Sequence, residues 1–492
     1  MNDHGLYRIR LFLDGKWCNI LIDDRFPCHL DRSLKVIKTA SKAKTKWYEV
    51  IERPPEQIEP KRPDEDDDVR FIPFPQYCRS KSGSVLWAML IEKAYAKYLG
   101  CYEALEGGHV HTALVDLTGG FSQIYSLRDD VELVASGALW NKLKEYANKN
   151  ALLAAGSPAR DVEGNETEED GVMSMDENGI IHGHAYAIVK VTEEHDYSGH
   201  HQLLQLRDPW GVAQWSGAWS RYDNKRWTRR MQKRLNYRPE GGDIQGSSRF
   251  LPPWSRKNRN SRDLDNGVSE KAKEEQDNNE EGTFWISLND FVRHFKWLYG
   301  CQLFNKDEWI HHSVEGAWIG QTAGGPPNQA DARFNPQFTL KFEPAAKSSG
   351  NNNILLFISI TNLTSTEEIV MRERRLEESE NDSTNSSEDG FGNEKQAIKQ
   401  INYNRTYPFM SLLLLDIGGK ALDSHLVASQ VVASTGKFKD TRELSLETKL
   451  PRTTDKTYTL FPSLYPKGEE GRFLINVYSS VPFNLQRLTT HP

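Results

Sequence analysis

The sequence has no apolar run long enough to cross a membrane, and its first 30 residues lack the apolar stretch of a secretion signal. Its cysteines are few and scattered, at positions 18, 28, 78, 101 and 301, and no two of them form a C-x-x-C pair. This odd set argues against a disulfide framework and against a zinc site. With a net charge of −7, the chain as a whole also lacks the basic character of a nucleic-acid-binding protein. These absences predict a cytoplasmic protein with reduced thiols.

Two short apolar runs lie close together in the middle of the chain, AYAIVKV at 185–191 and QLLQL at 202–206. Each is bounded by Gly, His or Pro, which predicts two buried strands. His184 precedes the first strand and Asp208 follows the second, so antiparallel pairing would bring the two side chains together. An imidazole oriented by a polar side chain is half of a nucleophilic triad. A satisfied histidine at a strand end is the alternative that this spacing alone leaves open.

The longer string around this pair resembles the second half of the calpain protease core. The motifs that carry the resemblance are GHAYAI at 183–188, RDPWG at 207–211 and WSGAW at 215–219. Similar runs occur at 5–27, 86–108, 116–120 and 281–295. The resemblance implies that His184 is the catalytic histidine and that Asp208 stands where calpains have an asparagine. It also implies that Trp210 shields the pair from water.

The fold that the resemblance implies is α+β, with a papain-like calpain protease core, mainly its second, β-rich half, followed by a C2-like antiparallel β-sandwich. We divide the chain into a remnant of the first protease half-domain (1–52), a charged linker (53–83), the second protease half-domain (84–301) and the sandwich (302–492). Charged insertions are expected at 157–179 and 221–281 within the protease half-domain, and at 366–400 within the sandwich, where disorder is expected.

Near the amino terminus, Asp14-Gly15 between two apolar runs predicts a β-hairpin over 6–22. Apolar residues at near-3.6 spacing predict helices over 84–99 and 135–150. The resemblance implies that the apolar side chains of the hairpin pack against the nucleophile-bearing segment of calpains: Leu6, Ile9, Leu11, Ile20 and Ile22. Since no such segment is found here, we expect that apolar surface to be exposed and the chain alone to be poorly soluble.

The nucleophile of calpains lies in a Gln-Gly-x-x-Gly-Asp-Cys-Trp run, which this sequence does not contain. We therefore expect no cysteine sulfur within reach of His184 and no peptide hydrolysis by the chain as given. Two classes of function stay open. The first is a calpain-like cysteine endopeptidase that acts on protein substrates and whose first part is missing from this sequence. The second is a non-catalytic homologue that binds protein partners.

Calcium positions of the calpain core can also be carried over by resemblance, to Gln214, Arg221, Asn279, Glu281 and Thr283. Only Glu281 is anionic among them. Because calcium prefers several anionic oxygens, we predict a degenerate site and no cofactor, with calcium as the alternative. No EF-hand loop occurs in the sequence.

Residues 221–262 are rich in arginine and lysine, with Trp227, Tyr237 and Trp254 interleaved. Such a segment can bind RNA or an acidic membrane surface. Since an acidic stretch follows at 270–281, we predict instead a disordered, regulatory insertion without nucleic-acid binding. The C2-like sandwich is the part for which we consider peripheral membrane contact.

Overall fold

The structure is a computed structural model that describes residues 5–30, 34–38, 48–52, 73–78, 85–105, 107–161, 164–167, 174–212, 215–239, 282–305, 307–343, 353–363, 407–423, 425–452 and 456–489. Its described residues divide into two compact units, those up to residue 108 and those from residue 109 onward.

The first unit contains an antiparallel hairpin and a helix. Strands β1 (Leu6–Leu13) and β2 (Lys16–Asp23) pair over their whole length. Asp14 and Gly15 form the turn, both with positive φ, which confirms the predicted hairpin. Shorter strands pair as β3 (Cys28–Leu30) with β6 (Pro73–Pro75) and as β4 (Leu34–Lys38) with β5 (Tyr48–Glu52). Helix α1 (Trp87–Leu99) ends at Gly100.

Helix α1 covers one face of the hairpin, so our expectation of an exposed apolar face was wrong. The buried residues of this cluster come from all three elements: Leu11, Leu13, Ile22, Leu90 and Ala94. Ile9 and Ile20 pack at its edge, whereas Leu6 is 54% exposed. The apolar stripe of the helix replaces the partner that the sequence seemed to lack. The helix thus belongs to the same compact unit as the hairpin, although we had assigned its sequence to the second half-domain.

The second unit begins with short helices and a twisted antiparallel sheet. Its first strands are β7 (Phe121–Ser126), β8 (Leu152–Gly156), β9 (Ala159–Arg160), β10 (Glu166–Thr167), β11 (Ala185–Asp196), β12 (Gly199–Arg207), β13 (Thr283–Ser287) and β14 (Trp297–Gln302). The helices are α2 (Val110–Thr118), α3 (Val131–Ala135), α4 (Ala138–Asn148), α5 (Arg229–Leu235) and α6 (Leu288–His294). Six strands form one sheet in the order β13-β12-β11-β8-β14-β7.

Both faces of this sheet are covered, because neighbouring residues of a strand point to opposite sides. Leu204 and Ile286 lie in a large cluster with Leu139 and Leu143 of α4. The predicted helix over 135–150 is thereby confirmed, with its apolar stripe facing the sheet. Leu203 and Trp285 face the other way, into a second cluster that is rich in tryptophan.

The described residues beyond 309 form two packed antiparallel sheets. The strands are β15 (Ile310–Trp318), β16 (Phe338–Phe342), β17 (Asn353–Asn362), β18 (Phe409–Leu415), β19 (Val431–Ser434), β20 (Lys439–Asp440), β21 (Glu443–Pro451), β22 (Thr457–Tyr465), β23 (Gly471–Ser479) and β24 (Phe483–Arg487). Their orders are β15-β23-β17-β21 and β19-β18-β22-β16-β24, with β20 beside β18. One apolar core contains residues of both sheets, such as Ile358 and Leu460. A C2-like arrangement of these sheets stays a prediction, and 366–400 lies outside the described residues.

The two packed sheets are joined to the preceding part of the same unit by a buried ion pair. Both terminal nitrogens of the Arg442 guanidinium bind the Asp116 carboxylate of α2, one of them at 3.0 Å. Lys142 Nζ lies 2.8 Å from Glu447 Oε2 of β21. These contacts connect two regions that are far apart in the sequence.

Candidate active site

His184 and Asp208 lie at the same end of two neighbouring strands. His184 directly precedes β11 and Asp208 directly follows β12, and these strands pair antiparallel from Ala187 opposite Arg207. His184 Nε2 is 2.8 Å from Asp208 Oδ1. This distance lies within the hydrogen-bonding range that the sequence predicted, about 2.6 to 3.2 Å.

Asp208 is held by the loop that follows it. Its side chain is fully buried, and Oδ1 also accepts from the Trp210 N–H at 3.0 Å. Oδ2 accepts from the Val212 N–H at 2.8 Å. The backbone N–H of Asp208 donates to the Gly282 carbonyl at 2.9 Å. Three donors therefore converge on the two side-chain oxygens, an arrangement that suits a carboxylate.

Two aromatic rings enclose the imidazole. The Trp210 ring lies 4.1 Å from the His184 ring, centroid to centroid, and Tyr186 meets it edge-on at 5.1 Å. His184 is thereby 9% exposed, while Trp210 keeps 52% of its surface exposed. Trp210 thus lies where the predicted shielding role requires it, and that role stays a prediction.

The geometry decides which ring nitrogen is available for chemistry. Because Nε2 faces Asp208, Nδ1 is the nitrogen left to exchange a proton with a reacting group. Asp208 can fix the tautomer and the ring plane, and it can stabilise the imidazolium that forms when Nδ1 is protonated. The geometry is thus the one that a general base with an orienting carboxylate requires, and the catalytic roles of the two residues stay a prediction.

Cys301 is not positioned to be the nucleophile. It lies opposite Leu152 in the ladder between β14 and β8, whereas Ala185 lies opposite Gly156. Four residues along a strand amount to about 13 Å. Burial also raises the pKa of the Cys301 thiol to about 11, although Thr118 opposes that shift. The other cysteines lie in the first unit, and their separation from His184 stays a prediction.

Comparison with known proteins concerns the sequence as a whole. Residues 66–244 match the model of the calpain family cysteine protease, and residues 314–478 match that of domain III of the calpain large subunit. The chain is 28% identical over 495 residues to the calpain-type cysteine protease DEK1 of Arabidopsis thaliana, covering 99% of this chain and 17% of that protein. It is 25% identical over 511 residues to calpain-A of Drosophila melanogaster, covering 100% of this chain and 47% of that protein.

The chain belongs to the calpain family. It contains sequence of the calpain protease core and of domain III, in a β-rich structure with few helices. It spans about a sixth of the length of the Arabidopsis relative and about half that of the Drosophila relative.

The calcium positions carried over from calpains fit a hard cation poorly where the structure describes them. Arg221 is cationic and Thr283 is neutral, so neither supplies an anionic oxygen. Gln214, Asn279 and Glu281 lie outside the described residues. Within the described part of the chain, no three His, Cys, Asp or Glu side chains are grouped to hold a metal. Calcium binding therefore stays untested.

Part of the basic segment that we had interpreted as a disordered insertion is folded. Thr228 caps α5 by accepting from the Met231 N–H. Met231, Trp227 and Tyr237 are buried in the cluster around Trp285. The prediction of disorder was thus wrong for 221–239, because its aromatic residues supply core. Residues 240–281, including Trp254, lie outside the described part.

Aromatic stacking on nucleic acid would need exposed rings, yet Trp227 and Tyr237 are each 3% exposed. Among the described helices, none combines the length and apolarity that a membrane span requires.

Sequence reasoning missed one residue next to the pair. Ser157 is buried at the end of β8 and bonds to the backbone of His184. We had placed it at the start of a charged insertion, and nothing in its sequence surroundings distinguishes it from a loop serine.

Proposed function

We propose that this chain provides the histidine and the orienting carboxylate of a calpain-type cysteine endopeptidase that cleaves protein substrates. The observation that carries the proposal is the buried contact of 2.8 Å between His184 Nε2 and Asp208 Oδ1, with Trp210 over the ring. The thiol has to come from residues outside these 492, because the sequence lacks the Gly-Asp-Cys-Trp run of the family.

In this mechanism His184 Nδ1 takes the proton of the thiol, and the thiolate attacks the carbonyl carbon of the scissile peptide bond. Asp208 stabilises the resulting imidazolium. The imidazolium then gives its proton to the nitrogen of the leaving amine, and the C–N bond breaks to leave an acyl-enzyme. A water molecule, deprotonated by the same imidazole, attacks the acyl carbon and releases the carboxylic product and the thiol.

Complementation tests the proposal. The chain is joined to the nucleophile-bearing segment of the Arabidopsis relative, and hydrolysis of a fluorogenic peptide is measured with and without iodoacetamide. We expect thiol-dependent hydrolysis that falls at least about 100-fold in His184→Ala, since a positioned base contributes this much.

His200→Ala is the matched control, because this histidine is exposed and lies at the turn end of β12, away from His184. A joined protein that folds and binds peptide but hydrolyses none would contradict the proposal. The carboxylate at position 208 would then identify a non-catalytic homologue that binds protein partners.

A further inference from the structure

Ser157 forms hydrogen bonds to the backbone of His184 on both sides of its Cα. Its Oγ accepts from the His184 N–H at 3.0 Å, and its own N–H donates to the His184 carbonyl at 3.0 Å. The Oγ proton is directed to the Ile181 carbonyl at 2.6 Å, with the His184 carbonyl at 3.2 Å. The side chain is 5% exposed. Both peptide groups that flank the Cα of His184 are therefore bonded to one residue.

The hydrogen bonds from Ser157 hold the end of the loop that precedes His184. His184 follows Gly183, whose φ of +61° lies in the left-handed region that favours glycine. The same loop is tied farther away, where Asp176 Oδ2 lies 3.0 Å from His294 Nδ1 of α6. At the His184 end, the Gly183 N–H donates to the Pro158 carbonyl at 3.0 Å, and Ser157 supplies the side-chain contact to His184 itself.

The imidazole can meet Asp208 only if its backbone is placed accurately. Asp208 is fixed by its own loop, so it cannot follow a displaced ring. Because the ring is packed against Trp210 and Tyr186, rotation of the side chain can compensate for little of a Cα shift, and Nε2 moves with the backbone. Reactive geometries tolerate about 0.5 Å.

We propose that Ser157 is a positioning residue of the active site, whose hydroxyl holds the backbone of His184 so that Nε2 meets Asp208. The effect of Ser157 on catalysis rests on the proposed function. Its effect on the geometry of the His184–Asp208 pair does not rest on that function, so it can be tested on the 492-residue chain itself.

The test compares Ser157→Ala with the wild-type chain by NMR. One readout is the exchange rate of the His184 amide proton, and the other is the His184 ring N–H signal that reports the bond to Asp208. We expect amide exchange to rise about tenfold or more, because the amide loses its acceptor. We expect the ring N–H signal to shift or to broaden through exchange with water. Ser157→Thr, which keeps the hydroxyl, should restore the ring signal.

Ser122→Ala is the matched control. Ser122 is also 5% exposed, and its Oγ has no hydrogen-bond partner among the described residues. Its removal should leave both readouts unchanged. The proposal would be overturned if the His184 ring N–H signal were unchanged in Ser157→Ala. It would also be overturned if that signal were disturbed to the same extent in Ser122→Ala. If Ser157→Ala does not fold, Ser157→Cys keeps the size with a weaker donor and acceptor and should show the same effect in part.

Catalysis gives a second, separate readout in the joined protein described above. There Ser157→Ala should lower kcat about tenfold, which corresponds to 1.4 kcal/mol, while KM stays unchanged. If the joined protein is inactive in every form, the proposed function fails, yet the NMR comparison still decides the role of Ser157. A fall in kcat with an undisturbed ring signal would count against positioning.

Discussion

Replacing Asp208 by asparagine, the residue that calpains have at this position, should destabilise this particular chain. Oδ1 of Asp208 accepts from His184 Nε2 and the Trp210 N–H, and Oδ2 accepts from the Val212 N–H. Asparagine offers one carbonyl oxygen and one NH₂ group. If its oxygen takes the place of Oδ1, its NH₂ group faces the Val212 N–H, and two donors meet. If the amide is reversed, the NH₂ group meets the Trp210 N–H, while His184 Nε2 can accept from it only in the tautomer that protonates Nδ1.

At least one N–H is therefore left without its acceptor, and because Val212 and Trp210 are about half exposed, we expect the low end of the penalty for a lost hydrogen bond, about 1 kcal/mol. Urea unfolding of the wild-type chain and Asp208→Asn measures the difference, provided that the m-values agree. The matched control is Asp416→Asn, because Asp416 forms an exposed pair with Lys456 at 2.8 Å. That change should cost about 0 to 1 kcal/mol. Equal stability of Asp208→Asn and the wild-type chain would refute the reasoning, since the loop would then have rearranged to accept the amide.

Four further outcomes follow from the structure. Arg442→Met removes the buried bidentate partner of Asp116 and should cost about 3 to 5 kcal/mol, measured by urea unfolding. Burial raises the pKa of Glu443 from 4.5 to about 7, against the pull of Arg442. The folded chain therefore holds a proton that the unfolded chain releases, so stability should fall as the pH rises from about 4.5 to about 7. Glu443→Gln should flatten that slope. Cys301 is fully buried with its pKa raised to about 11, so a disulfide reagent should modify it only at the rate of unfolding. Calcium should not raise the Tm, although a bound ligand at a hundred times its Kd would add about 2.7 kcal/mol.

Each of these outcomes has a control within the chain. Lys456→Met breaks an exposed pair and should leave the stability nearly unchanged. If Arg442→Met were equally harmless, burial of the Arg442 pair would be unimportant. Cys28 is exposed and should react at once with the same reagent that spares Cys301. A pH slope that persists in Glu443→Gln would assign it to other groups. A calcium-dependent rise in Tm that disappears in Glu281→Ala would show that the calcium site is functional.

The pairing of His184 with Asp208 could be predicted because it depends on local rules. Two apolar runs, separated by a short polar segment, pair antiparallel with little choice of register when one face of each is buried. The residues that flank them then meet at one end of the sheet. The hairpin around Asp14 was equally predictable, since a positive-φ turn between apolar runs has few alternatives. The catalytic role expected of the pair came from the motifs that resemble those of calpains.

Other features of the fold and of the site could be learned only from the tertiary structure. They depend on contacts between residues that are distant in the sequence, and no local sequence pattern predicts such contacts. Trp227 and Tyr237 sit among arginines and lysines, yet they fill a core beneath Trp285, since burial is settled by the space that other elements leave. Arg442 and Asp116 are far apart in the sequence, and only the fold brings them together. A buried guanidinium requires a carboxylate partner, but the sequence does not say which carboxylate will be near it. The role of Ser157 could not be predicted, because its sequence surroundings do not distinguish it from a loop serine. Its contact with the backbone of His184 exists only because the end of β8 lies beside that residue in the fold.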